Sequence, residues 1–190
     1  MRISRLRWGI LLARVTAMRG TCLRRQVGCV LVDKLGHVLA TGYNGVAAGQ
    51  PHCNEVERTT NGVPHHPHAC PGACAPSGTN LDGCYAIHAE QNAMLQCKDV
   101  QAIDTCYCTA SPCITCVKLL LNTGCQTIVF EEAYPHGEAK DLWVKAGRGW
   151  VQANQRISFH DTLQVLTKGG EADATQEGQE QGDHPAEHPA

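Results

Sequence analysis

With 190 residues, 43% of them hydrophobic, the chain suffices for one domain with an ordinary core, and it has no run approaching the roughly 20 apolar residues of a membrane span. Six of its 18 acidic residues fall between 169 and 190, where there is no Lys or Arg, so positions 1–168 hold 16 basic against 12 acidic side chains. That mild excess suits a phosphorylated small molecule and is too weak for a nucleic-acid surface. Twelve cysteines would suit a secreted disulfide scaffold, but the apolar run Trp8 to Ala13 is short, Arg14 follows it, and no small-residue cleavage site is evident. A cytoplasmic chain is therefore expected, with its cysteines used as metal ligands or buried thiols.

In chain order, residues 3–19 pattern as an amphipathic helix, with Ile3, Leu6, Ile10, Ala13 and Ala17 on one face and arginines between them. Val27 to Val32 and Val38 to Tyr43 read as two strands of a hairpin around Asp33-Lys34-Leu35-Gly36. Residues 45–84 are rich in Gly, Pro, His and Cys and have no periodicity. A loop of that length inside a domain needs an explanation, and metal cross-linking is the natural one. A helix is predicted over 86–97, a strand over 105–109, and a second helix from Ser111-Pro112 to about Asn122, with Ser111 as N-cap and Pro112 as first residue. A strand at 126–130, a helix at 140–146 and a strand at 150–157 follow. Residues 169–190 lack aromatics and read as an acidic disordered tail, leaving 1–168 as the domain. The alternation predicts an α/β domain with a central sheet flanked by helices.

Two segments carry chemistry: His88-Ala89-Glu90 and Pro112-Cys113-Ile114-Thr115-Cys116. Cysteines three apart share a first helical turn, where the helix N-terminus favours thiolate. His88, Cys113 and Cys116 make three zinc ligands and leave a fourth position for water, which zinc acidifies toward a pKa of about 7. Glu90 is then placed to carry protons. Alone, a CxxC pair is more often a structural zinc or redox pair, and an HxE is usually helix surface. Both together, in this order and 25 residues apart, match the zinc nucleobase deaminase pattern. In that chemistry a metal-activated water attacks the carbon bearing the exocyclic amine, and Glu90 passes its proton to the neighbouring ring nitrogen.

From about Ala13 to Pro135 the chain resembles the deoxycytidylate (dCMP) deaminases of the cytidine deaminase superfamily. The resemblance rests on Cys22-Leu23-Arg24-Arg25-Gln26-Val27-Gly28, Gly42-Tyr43-Asn44-Gly45, Pro51-His52-Cys53, His88 to Ala93 and Ser111 to Cys116. It implies a three-layer fold with a mixed five-stranded sheet, a hexamer, dCTP and dTTP as effectors, and conversion of dCMP to dUMP and ammonia for dTTP synthesis. It further implies that Asn44 contacts the sugar, that the Ala89 N–H binds the pyrimidine carbonyl, that Ser111 meets the base, and that Tyr134 lies beside the substrate. Arg24 and Arg25 are candidates for the 5′-phosphate. The resemblance also implies a second, structural zinc on Cys22 and Cys53, completed by Cys84 with Cys70 or Cys74; His65, His66 and His68 are alternatives. Cys29, Cys97, Cys106, Cys108 and Cys125 occupy apolar positions and read as core thiols. The rival readings are a deaminase of tRNA adenosine or a free nucleoside, and a zinc module without catalysis.

Overall fold

β1 (Gly28–Val32) and β2 (Val38–Tyr43) form the expected hairpin, with Cys29 opposite Gly42 and Leu31 opposite Ala40. Its turn is tied by Asp33, whose Oδ1 accepts from the backbone N–H groups of Leu35 and His37 at 2.9 and 2.8 Å. The other edge of β1 pairs antiparallel with β5 (Thr105–Ala110), which runs parallel to β6 (Thr127–Glu132), and β6 runs parallel to β7 (Gly149–Gln152). The computed structural model thus shows a mixed sheet of order β2-β1-β5-β6-β7, as the resemblance implies. It describes residues 2–153 apart from 59–60, 63, 74, 77–78, 81–82 and 135–136. Cys74, Pro135, the end of the strand expected at 150–157, the boundary at 168 and the acidic stretch 169–190 lie outside the described residues.

The sheet is covered on both faces, which explains why β1 is apolar throughout and buried at every position. Helix α1 (Arg5–Ala17) lays Ile10 and Ala13 against Val30, Val32, Tyr107 and Val129. On the opposite face, α2 (Ala89–Gln96), α3 (Ile114–Leu121) and α4 (Glu138–Lys145) enclose Leu31, Ile128 and Phe130 with Ala93, Val117, Leu120 and Trp143. Each large apolar side chain buried in this way contributes about 1.5–3 kcal/mol. The close seat of α1 requires glycine at 28, where a Cβ would run into the Ala13 carbonyl.

Two helices begin later than their sequence pattern suggests. Residues 86–88 are extended because Ile87 and Gly45 exchange both backbone hydrogen bonds, at 2.8 and 3.2 Å. Helix α2 therefore starts at Ala89 with His88 as its N-cap. Likewise the β5–β6 ladder runs on through Ser111, whose N–H donates to the Glu132 carbonyl at 2.8 Å. Ser111 is consequently not the N-cap of α3; Cys113 is, with φ −73° and ψ 169°. Within 45–84 the chain is not wholly irregular, since β3 (Glu57–Arg58) and β4 (Pro64–His65) form a two-residue ladder. A 3₁₀ turn, Val100–Ala102, precedes β5.

Arg148, which sequence patterning did not single out, binds the C-terminal end of α3. Its guanidinium donates to the carbonyls of Leu120, Leu121 and Cys125 at 3.1, 3.0 and 2.8 Å, and lies 5.1 Å from the Trp143 ring centroid. A cation here satisfies orphan carbonyls and complements the helix dipole.

Candidate metal-dependent active site

The N-terminal ends of α2 and α3 meet above the carboxyl end of β5, each behind an extended segment that holds its cap residue in place. Asn92 donates to the Tyr43 carbonyl at 2.8 Å and Gln91 accepts from the His88 N–H at 2.9 Å, so the start of α2 is tied to β2 and to itself. His88 consequently turns Nδ1 toward both cysteines, 3.4 Å from the Sγ of Cys113 and 3.4 Å from that of Cys116. A tetrahedral zinc, with Zn–S about 2.3 Å and Zn–N about 2.0–2.1 Å, separates its nitrogen and sulfur ligands by about 3.5 Å. The donor set and its spacing therefore fit zinc, and all three ligand atoms lie within 4.8 Å of one another. Which ring nitrogen faces the metal was not legible in the sequence.

The thiol pair is electrostatically asymmetric. The Cys116 thiol, more than any other group, holds Cys113 down to about 3, with His88 adding to the effect, whereas the partnership with Cys113, burial and Glu90 push Cys116 far up. Glu90 is 4% exposed, and its Oε2 lies 3.5 Å from the Cys116 Sγ. Burial pushes its carboxyl up to about 7, the region in which a proton carrier at neutral pH works best.

The cavity beside this triad takes in Asn44, Ala89, Ser111 and Tyr134, and also Arg24 and Arg25. All the residues expected at the substrate therefore line one space. Ala89 is the first residue of α2, so its N–H has no acceptor within the helix. The Ser111 hydroxyl accepts from the Tyr134 N–H at 2.7 Å, which leaves its own proton available to the cavity. Asn44 serves the scaffold as well. Its Oδ1 accepts from the Val27 N–H at 2.8 Å and its Nδ2 donates to the Arg25 carbonyl at 2.7 Å, locking the segment that carries both arginines. The two arginines differ: Arg24 donates to the carbonyls of Pro76 and Thr79 in the insertion, while Arg25 pairs with Glu132. The role of Glu132 had no signal in the sequence, because the pair spans 107 positions.

A second cysteine group adjoins the cavity, with Cys22 and Cys84 in its lining. Cys70 and Cys22 each lie within electrostatic reach of Cys53 and Cys84. Burial raises the Cys53 and Cys84 thiols; Cys70 is buried too, but N–H groups of Tyr85 and Gly72 and the neighbouring thiols hold it lower. The histidines offered as alternative ligands face elsewhere: His66 Nδ1 lies 3.2 Å from the Glu55 carbonyl and His68 Nε2 3.7 Å from the Glu55 carboxylate, while His65 is exposed on β4.

Three ligands that fit zinc beside a buried carboxylate, set at two helix starts over a mixed sheet, are the arrangement expected of a metal-dependent deaminase. Residues 5–132 match the cytidine and deoxycytidylate deaminase zinc-binding region, and the chain belongs to that family. It is 36% identical over 125 residues to the deoxycytidylate deaminase of Schizosaccharomyces pombe, covering 65% of this chain and 35% of that protein. It is 37% identical over 120 residues to the deoxycytidylate deaminase of Mycobacterium phage D29, covering 63% of this chain and 88% of the phage protein. The match thus spans about a third of the yeast relative and most of the phage one. The dCMP deaminase of cyanophage S-TIM5, solved with dCMP and dUMP, shares the fold at a TM-score of 0.58 and 21% identity, covering 80% of this chain and 100% of that one.

Proposed function

We propose that this chain hydrolyses dCMP to dUMP and ammonia, supplying dUMP for dTTP synthesis. What carries this reading is the convergence of His88, Cys113 and Cys116 beside buried Glu90, in one cavity with two arginines. The dCMP deaminases among its relatives support the choice of substrate.

A zinc ion held by His88 Nδ1, Cys113 and Cys116 supplies a Lewis acid that makes a water nucleophilic at neutral pH. The chain's own groups do the rest. Glu90 takes the proton released by the attacking water and carries it to the ring nitrogen next to the reacting carbon; it then takes the remaining proton of the added hydroxyl, as the new carbonyl forms, and delivers it to the departing amine. Burial raises this carboxyl to about 7, which suits a group that must both take up and release a proton near neutral pH. The Ala89 N–H donates to the pyrimidine carbonyl, the Ser111 hydroxyl faces the base, Asn44 and Tyr134 border the sugar, and Arg24 and Arg25 supply positive charge for the 5′-phosphate. Cys22, Cys53 and Cys84, with Cys70 or Cys74, are the residues that would hold a second zinc of the structural type, which would cross-link the segment after α1 to the insertion.

Purified protein loaded with zinc and mixed with dCMP should release ammonia, both with and without dCTP. Deoxycytidine and adenosine-containing RNA serve as the competing substrates. Failure to release ammonia from dCMP in both conditions, or preference for one of the competitors, overturns this assignment.

A further inference from the structure

Beneath α2, on the inner face of the sheet, three cysteines converge on one point. Cys29 on β1 stands directly across from Cys108 on β5, and Cys106, two residues earlier on β5, faces the same way. Cys106 Sγ lies 3.5 Å from Cys29 Sγ and 3.5 Å from Cys108 Sγ, and all three sulfurs lie within 4.8 Å of one another. Each is 0% exposed. A core cysteine commonly packs as a small apolar group. These three differ in pointing their sulfurs at one another, while Cys125 nearby turns its Sγ to the Thr127 carbonyl at 3.4 Å.

We infer that Cys29, Cys106 and Cys108 form a binding site for a trivalent thiophilic ion of the arsenite type, separate from the zinc ligands. Three thiols select soft ions, and charge then decides among them. Three thiolates around a monovalent ion leave a net charge of −2, and around a divalent ion −1; either is costly at a fully buried position. Glu90 lies within electrostatic reach of Cys29 and adds to that cost. A trivalent ion makes the complex neutral.

Geometry agrees. Around a centre about 2.3 Å from each sulfur, planar coordination spreads the sulfurs about 4.0 Å apart, and pyramidal coordination about 3.4 Å. Cys106 stands 3.5 Å from Cys29 and 3.5 Å from Cys108, near the pyramidal spacing of an ion with a lone pair, and the Cys29–Cys108 pair lies within 4.8 Å. The exchange balances without an oxidant. Three S–H bonds and the three As–O bonds of arsenous acid break, three As–S bonds form, three waters leave, and arsenic stays trivalent. Complete burial makes capture slow, because α2 or the end of β1 must open first.

Zinc-loaded full-length protein incubated with arsenite and examined by native mass spectrometry should gain one arsenic less three hydrogens and lose no zinc. Cys29→Ala, Cys106→Ala and Cys108→Ala should each abolish the gain, and Cys97→Ala should retain it. X-ray absorption at the arsenic edge of the native sequence should show three sulfur neighbours, a result that does not depend on any variant folding. No retained arsenic, an adduct surviving the three substitutions, zinc lost as arsenic binds, or two sulfurs with an oxygen would each overturn the site.

Discussion

Gly42 on β2 lies against the backbone of Ala89, so close that a Cβ at 42 would collide with the Ala89 carbonyl and with the Ala93 nitrogen. This contact sets the height of α2 over the sheet, and α2 carries Ala89 and Glu90 behind His88. Gly42→Ala should therefore push the helix outward. Because the obstacles are backbone atoms that cannot rotate away, the expected cost is about 3 kcal/mol, the upper end of ordinary overpacking. Chemical denaturation together with a zinc assay checks this, and wild-type stability with full zinc content would refute it.

Glu90→Gln keeps the shape of the side chain and removes its ability to carry a proton. The variant should bind zinc as the wild type does and turn over dCMP about 10²–10⁴ times more slowly. Comparing kcat with metal content separates this from a ligand role, in which zinc would be lost too.

The two cysteine groups predict separable metals. Cys113→Ser should remove one zinc per chain and all activity while leaving the insertion as resistant to protease as before. Cys70→Ser should remove the other and make residues 45–84 more susceptible to cleavage, because the metal proposed there would tie that segment to the chain after α1. A single zinc in the wild-type protein would exclude the second site.

Arg25 and Glu132 pair at the cavity, so a substrate phosphate competes with Glu132 for the same guanidinium. Arg25→Ala should raise KM for dCMP by about 10–100-fold, the worth of a hydrogen bond between charged groups, and leave deoxycytidine unaffected. Glu132→Gln should move KM for dCMP the other way. An unchanged KM in Arg25→Ala would mean that this arginine serves Glu132 alone.

Arg148→Ala should cost about 2 kcal/mol, since two carbonyls at the end of α3 and that of Cys125 lose a charged donor and Trp143 loses its cation. For a domain of this size that lowers the thermal midpoint by about 4–8 °C.

The chemistry was legible in the linear order of residues because His88, Glu90, Cys113 and Cys116 sit in two short segments whose spacing is local. The strands were legible for a similar reason: β1 and β6 are buried runs, and burial selects apolar residues wherever the chain goes. Helix starts were not, since the pairing of Gly45 with Ile87 and of Ser111 with Glu132 overrode local capping preference, and both are contacts with a distant partner. The same holds for the Nδ1 orientation of His88, the Arg25–Glu132 pair and the three thiols beneath α2. By itself, the sequence determined which residues could do chemistry. Which of them meet was decided by the order of strands in the sheet, because sidedness and distance between remote segments exist only once β1 lies beside β5 and the helices close over them.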